Sequence, residues 1–222
     1  MNKAILEGYH TTHRNNIKSI LNNGFYMSPP NKGHWLGKGV YFFEDLYYAI
    51  EWKIIGVLKK QYIENEEELK NASILLAKIN IEDYEMIDLS TPYGCDIFLT
   101  FLDVIKENYS EDEYENIINK GDKYIIKALE KLENVKKEKY LSEFDVVCAD
   151  YDRGIIKKDK FKEDNFISGT QKQICVKNLK AIIKNEELKE DIEDEDYERN
   201  YNLVIKNRRE IIWLIILNWL KK

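Results

Sequence analysis

Apolar and polar positions change period several times along the chain, and each change predicts an element. Residues 4–9 read as a short strand. Over residues 14–23 the apolar positions Ile17, Ile20 and Leu21 recur at helical spacing, and Gly24 stands where a helix would end. Residues 27–37 form a loop marked by Ser28-Pro29-Pro30-Asn31-Lys32-Gly33, and 39–43 a second strand. Asp45 can cap a helix carrying Leu46, Ala49, Ile50 and Trp52. Residues 73–81 predict a core strand, and about 97–141 turn helical with Glu- and Lys-rich faces. Two short apolar strands follow at 144–149 and 173–176. Short strands at both ends with helices between them predict an α+β fold.

After Asn185 the composition shifts abruptly. Residues 186–198 hold nine acids and one lysine, and an apolar run, Ile211 to Leu220, follows. The predicted division is therefore a main domain at 1–185, with a helical insertion at about 97–141, and an acidic then apolar helical extension at 186–222. A helix apolar all round must be buried, against its own domain or against a partner. The acidic segment changes the picture given by the total charge of −6: it contributes −8 and leaves the rest at +2. The bulk of the chain is thus near neutral, and a nucleic-acid partner is not excluded by charge.

With 222 residues the chain can bury a large core without disulfides. Cys95, Cys148 and Cys175 are an odd number without CxxC spacing, which fits a reducing compartment and argues against a cysteine zinc site. The first residues lack the apolar run of a signal peptide, and no apolar stretch reaches about 18 residues. The expectation is a cytoplasmic protein with no membrane partner.

The chemistry-bearing residues gather near the start. All three histidines, His10, His13 and His34, fall in the first 34 residues. His10 and His13 have HxxH spacing but no acid or third ligand nearby, so no metal is expected. Trp35-Leu36-Gly37-Lys38-Gly39-Val40-Tyr41-Phe42-Phe43 sets two glycines around a lysine and runs at once into an aromatic strand. A P-loop needs GxxxxGK[ST] between a strand and a helix, and the order here is loop then strand. Fifteen Tyr and four Trp provide surfaces for stacking on planar ligands. For Tyr41 and Trp52 taken alone, core packing is the competing interpretation.

Gly8-Tyr9-His10-Thr11-Thr12, a short helix to Gly24-Phe25, then Leu36-Gly37-Lys38-Gly39-Val40-Tyr41-Phe42, some 26 residues after the histidine, resembles the ADP-ribosyltransferase superfamily. The likeness is to its diphtheria-toxin and poly(ADP-ribose) polymerase branch. It covers residues 4–53 and, more thinly, 140–183. His10-Thr11-Thr12-His13 with the following helix is also similar to the start of the DarT toxins, which modify DNA.

The resemblance implies two packed antiparallel sheets with flanking helices, and NAD+ as co-substrate. It implies His10 on a ribose hydroxyl, Tyr41 against the nicotinamide and Gln173 on the late strand at the ribose. Thr11, Thr12, Gly39 and Trp52 would complete the cofactor contacts, with the Thr11 backbone holding the carboxamide and Trp52 stacking. Gln171 and Arg153 would face the acceptor, with an exposed strand-end residue and a surface salt bridge as their plainer interpretations. Three positions depart from the family pattern: Thr11 stands for Gly, Ala49 for Ser, and Gln173 for Glu. A neutral Gln can hydrogen-bond a ribose hydroxyl but supplies no charge, so single transfer is expected rather than chain elongation. The implied activity is mono-ADP-ribosyl transfer to a protein or nucleic acid, as a bacterial toxin or phage-defence effector with an antitoxin or chaperone at the C-terminal apolar helix. NAD+ hydrolysis, RNA 2′-phosphotransfer and non-catalytic binding of NAD or ADP-ribose remain open. On this footing Tyr41→Ala is expected to abolish activity and leave the fold intact.

Overall fold

A computed structural model describes residues 4–27, 34–60, 66–152, 170–188 and 196–206. Among these, seven strands form one sheet in the order β4-β5-β6-β2-β1-β3-β7. The strands are β1 Ile5–His13, β2 Val40–Phe43, β3 Ala72–Asn80, β4 Met86–Asp88, β5 Val146–Asp152, β6 Thr170–Val176 and β7 Ile182–Glu187. The expected α+β class stands. The expected pair of antiparallel sheets is not seen among the described residues, whose strands form one mixed sheet. β4 runs parallel to β5, with Ile87 opposite Val147, whereas β5–β6 and β1–β2 are antiparallel. Parallel neighbours need a long crossover. The helical insertion supplies it, as α3 Pro92–Asn108, α4 Glu111–Ile118 and α5 Asp122–Lys136.

The described residues divide between two compact units. The first draws on Met1–Leu6, Phe25–Tyr41 and Ile79–Ile183. Its core joins Leu36, Ile87, Val147 and Cys175 to Phe101 and Ile105 of α3 and to Ile126 and Leu129 of α5. Those helical residues recur at three- and four-residue spacing, so each helix turns one apolar stripe inward. Local sequence fixes the helix starts. Thr91 accepts from the Gly94 N–H ahead of α3, and Ser110 with Glu113 makes a capping box for α4.

The second unit draws on Glu7–Gly24, Phe42–Lys78 and Lys184–Lys222. α1 Arg14–Asn23 ends at Gly24 as its pattern predicts. α2 Leu46–Trp52 is capped by Asp45, which accepts from the Tyr47 N–H, and it runs into a π-helical turn, Lys53–Val57. Ala49, Ile50, Ile54, Phe43 and Ile74 form the core with Tyr197 and Val204 from a helix at residues 196–206. The expected boundary after 185 falls inside β7, and Glu187 accepts hydrogen bonds from Ser73 and Arg14. The apolar run at 211–220 lies outside the described residues.

Candidate functional site

In the first unit the Gly-Lys-Gly segment is held from three sides. The Tyr41 hydroxyl donates to the Gly37 carbonyl at 2.7 Å and accepts from the Leu36 N–H at 2.8 Å. Glu130 of α5 accepts from the Lys38 N–H at 2.8 Å. The Cys175 thiol lies 3.9 Å from the Gly37 carbonyl. Gly37 has φ +87°, where side chains are disfavoured, and a Cβ there would meet the Glu130 carboxylate at 2.5 Å. Gly39 is required for a different reason: a Cβ would stand 2.4 Å from Cys175 Sγ and 2.9 Å from the Val176 carbonyl oxygen. The two glycines thus meet different constraints, a left-handed backbone at Gly37 and the close passage of β6 at Gly39.

Burial sets the electrostatics of this cluster. It raises the Tyr41 phenol far above its usual value, with Cys175 adding to the effect and the Leu36 N–H opposing it. The hydroxyl therefore stays protonated and serves as a tether, not as a base. Burial likewise pushes the Cys175 thiol up to about 12, against the pull of Lys177, so it is no nucleophile at neutral pH. The His34 imidazole lies on the Tyr41 ring, centroids 5.1 Å apart and planes 23° from parallel. Burial lowers its pKa and Glu130 opposes that shift.

β6 comes to this motif through Trp35. The indole Nε1–H donates to Gln173 Oε1 at 2.7 Å, across 138 residues of chain. The same indole packs against Tyr151 of β5, with centroids 5.5 Å apart. Alternation along β6 puts Gln171, Gln173 and Cys175 on one face, opposite Tyr151, Ala149 and Val147 of β5 in that order. Gln171 is buried, not an exposed strand-end residue. Lys172, on the other face, pairs with Asp88 at 2.6 Å.

The remaining expected residues lie in the second unit. β1 continues to His13, so His10 stands within the strand and not at its end. Its ring is 5.6 Å from that of Phe42. His10 and His13 are an odd number of residues apart and project to opposite faces of the strand. Thr11 is buried and its hydroxyl donates to the Ala49 carbonyl at 2.9 Å, while Thr12 accepts from Asn16 Nδ2. Ala49 is fully buried, whereas Trp52 is half exposed, its ring tilted against Phe43. Arg153 lies outside the described residues.

Four residues of the Tyr41 cluster escape sequence reasoning: His34, Trp35, Glu130 and Cys175. Trp35 adjoins the motif, and its indole N–H is a donor that burial obliges to find an acceptor. Nothing in the sequence singles out Glu130 from the other acids of α5.

No family model and no solved structure matches the chain. An uncharacterized protein of Methanocaldococcus jannaschii is 30% identical to it over 82 residues. That similarity spans 37% of this chain and 36% of the archaeal protein.

Proposed function

We propose that the chain is a mono-ADP-ribosyltransferase that moves ADP-ribose from NAD+ to a macromolecular acceptor. The observation that carries this reading is the Trp35–Gln173 hydrogen bond. It joins the Gly-Lys-Gly-Val-Tyr-Phe motif to the late strand, the two stretches in which the superfamily resemblance is found. The sheet order agrees with it, since β2 and β6, the bearers of Tyr41 and Gln173, are neighbours.

In the proposed reaction the bond from the nicotinamide nitrogen to ribose C1′ breaks. Nicotinamide leaves with the electron pair, the acceptor nucleophile bonds to C1′, and its proton passes to water. Positive charge develops on the ribose as the bond breaks. The Tyr41 ring offers an aromatic face for the cationic nicotinamide, and Gln173 offers an amide to a ribose hydroxyl. His10, Thr11, Thr12, Gly39 and Trp52 take the remaining cofactor contacts, and Gln171 with Arg153 the acceptor. A second reading, a module that binds NAD without cleaving it, draws on Gln173: its carbonyl oxygen is engaged by Trp35, and the site has no carboxylate there to stabilise the cation.

Incubation with NAD+ labelled in the adenylate, plus cell lysate, tests both. Transfer predicts free nicotinamide in step with label on a polymer, and digestion by nuclease or by protease then names the acceptor class. Nicotinamide without labelled polymer means hydrolysis. Binding of NAD+ without turnover replaces the transferase by the binding module.

A further inference from the structure

We infer that Trp35 is a positioning residue that sets the polarity of the Gln173 site, so that Gln173 meets its ligand as a hydrogen-bond donor. An indole N–H can only donate. The atom of Gln173 at 2.7 Å from Trp35 Nε1 must therefore be the carbonyl oxygen, which fixes the orientation of the amide. Trp35 is in no position to swing aside: it is 6% exposed, packed in the core with Leu36 and Phe101, and bounded by Tyr151. Gln173 itself is half-buried. Among the described residues its amide nitrogen has no protein acceptor. The strand neighbours on the same face of the β5–β6 pair include Ala149 and Cys175, and neither competes for that nitrogen. What Gln173 leaves for a ligand is thus two N–H groups.

Such a site takes an oxygen with a free lone pair, the ribose hydroxyl oxygen of NAD+ under the transferase reading on which this inference rests. A carboxylate at the same place would instead accept the hydroxyl proton and bring negative charge. Gln173 therefore contributes to holding the co-substrate and not to stabilising the cation. Substituting Gln173→Glu keeps the acceptor for Trp35 and reverses the polarity of the free end.

The test uses the full chain and NAD+. In the absence of ligand, the Trp35 indole proton, assigned by its loss in Trp35→Phe, exchanges slowly with solvent and at least tenfold faster in Gln173→Ala. An unchanged rate overturns the positioning role. On titration with NAD+ the Gln173 side-chain amide resonances shift, and saturation without such a shift overturns the donor assignment. In steady state, Trp35→Phe raises KM for NAD+ at least fivefold and keeps kcat within twofold, whereas Gln173→Glu raises kcat for nicotinamide release severalfold. An unchanged KM in the first variant, or a lower kcat in the second, overturns the inference. If Trp35→Phe fails to fold, triple-resonance assignment of the wild type identifies the indole proton, and the exchange and kcat arms of the two Gln173 variants decide. NAD+ that is neither bound nor cleaved by the wild type refutes the transferase reading and the ribose ligand with it, whereas the exchange experiment still reports on Trp35 alone.

Discussion

At the scale of single residues, Tyr41 combines two duties that mutation can separate. Its ring is the surface proposed for the nicotinamide, and its hydroxyl satisfies two backbone groups of the Gly-Lys-Gly segment. Phe at this position keeps the ring, strands the Leu36 N–H and leaves the Gly37 carbonyl only the long contact from the Cys175 thiol. Leaving such partly buried groups unpaired costs about 1–3 kcal/mol. Tyr41→Phe is therefore expected to lose stability of that order in urea titration while still binding NAD+. Tyr41→Ala adds a cavity beside Trp35 and Cys175 and loses the ring as well, so it should lower both stability and binding. The sequence-based expectation that Tyr41→Ala spares the fold omits the hydroxyl's bonds, which no local pattern reveals. If Tyr41→Phe is as stable as the wild type, the tether is not holding the segment.

At the scale of elements, local patterns predicted those parts of the fold that local chemistry determines. α1 with its glycine end, α2 with its aspartate cap, β2 and β3 follow from residues close in sequence. β4 has three residues and β7 sets two isoleucines before four polar residues, Ile182-Ile183-Lys184-Asn185-Glu186-Glu187, so neither shows an apolar alternation to read. The parallel β4–β5 pairing is closed by a crossover of three helices, and nothing local encodes it. The candidate site divides the same way: His10, Tyr41 and Gln173 are visible as motif positions, but the Trp35–Gln173 bond spans the whole insertion. The Asp88–Lys172 pair between β4 and β6 is equally non-local and carries a pH signature. Burial tends to raise the Asp88 pKa, but the Lys172 and Ser90 hydrogen bonds outweigh it, and the folded value falls below the ordinary 3.8. A group with a depressed folded pKa contributes stability that is present above the unfolded pKa and lost as pH falls through the folded one. With side chains 11% and 26% exposed, the pair is screened less than a surface ion pair. Asp88→Asn is expected to cost about 1–3 kcal/mol at pH 7. In urea titrations the gap between variant and wild type should close below about pH 4. A gap that persists at low pH would assign the loss to packing.

At the scale of the whole molecule, the acidic stretch at 186–198 looks from its composition like the start of a separate tail. Parts of it are instead built into the second unit. Glu187 closes β7 with bonds from Ser73 and Arg14, and the helix at 196–206 begins within the stretch. That helix turns Tyr197, Tyr201, Val204 and Ile205 toward Phe43, Ala49, Ile50, Ile54 and Ile74, at the spacing of one helical face. Its neighbour Leu203 is 45% exposed, while Val204 is fully buried. No helix among the described residues is long and apolar enough to cross a membrane, and this apolar face is buried in the core of the second unit. Adjacent positions on one helix thus offer a paired test of whether the segment belongs to the folding unit. Val204→Asp puts an unpaired carboxylate into the core and should cost more than about 3 kcal/mol. Leu203→Asp, with the same charge added one residue earlier, should stay within about 0.5 kcal/mol of the wild type. Thermal unfolding of the two variants measures the difference, for which about 2–4 °C per kcal/mol is expected at this chain length. Equal effects at the two positions would mean that the helix is not docked in this register, and a wild-type midpoint for Val204→Asp would detach the segment from the core altogether.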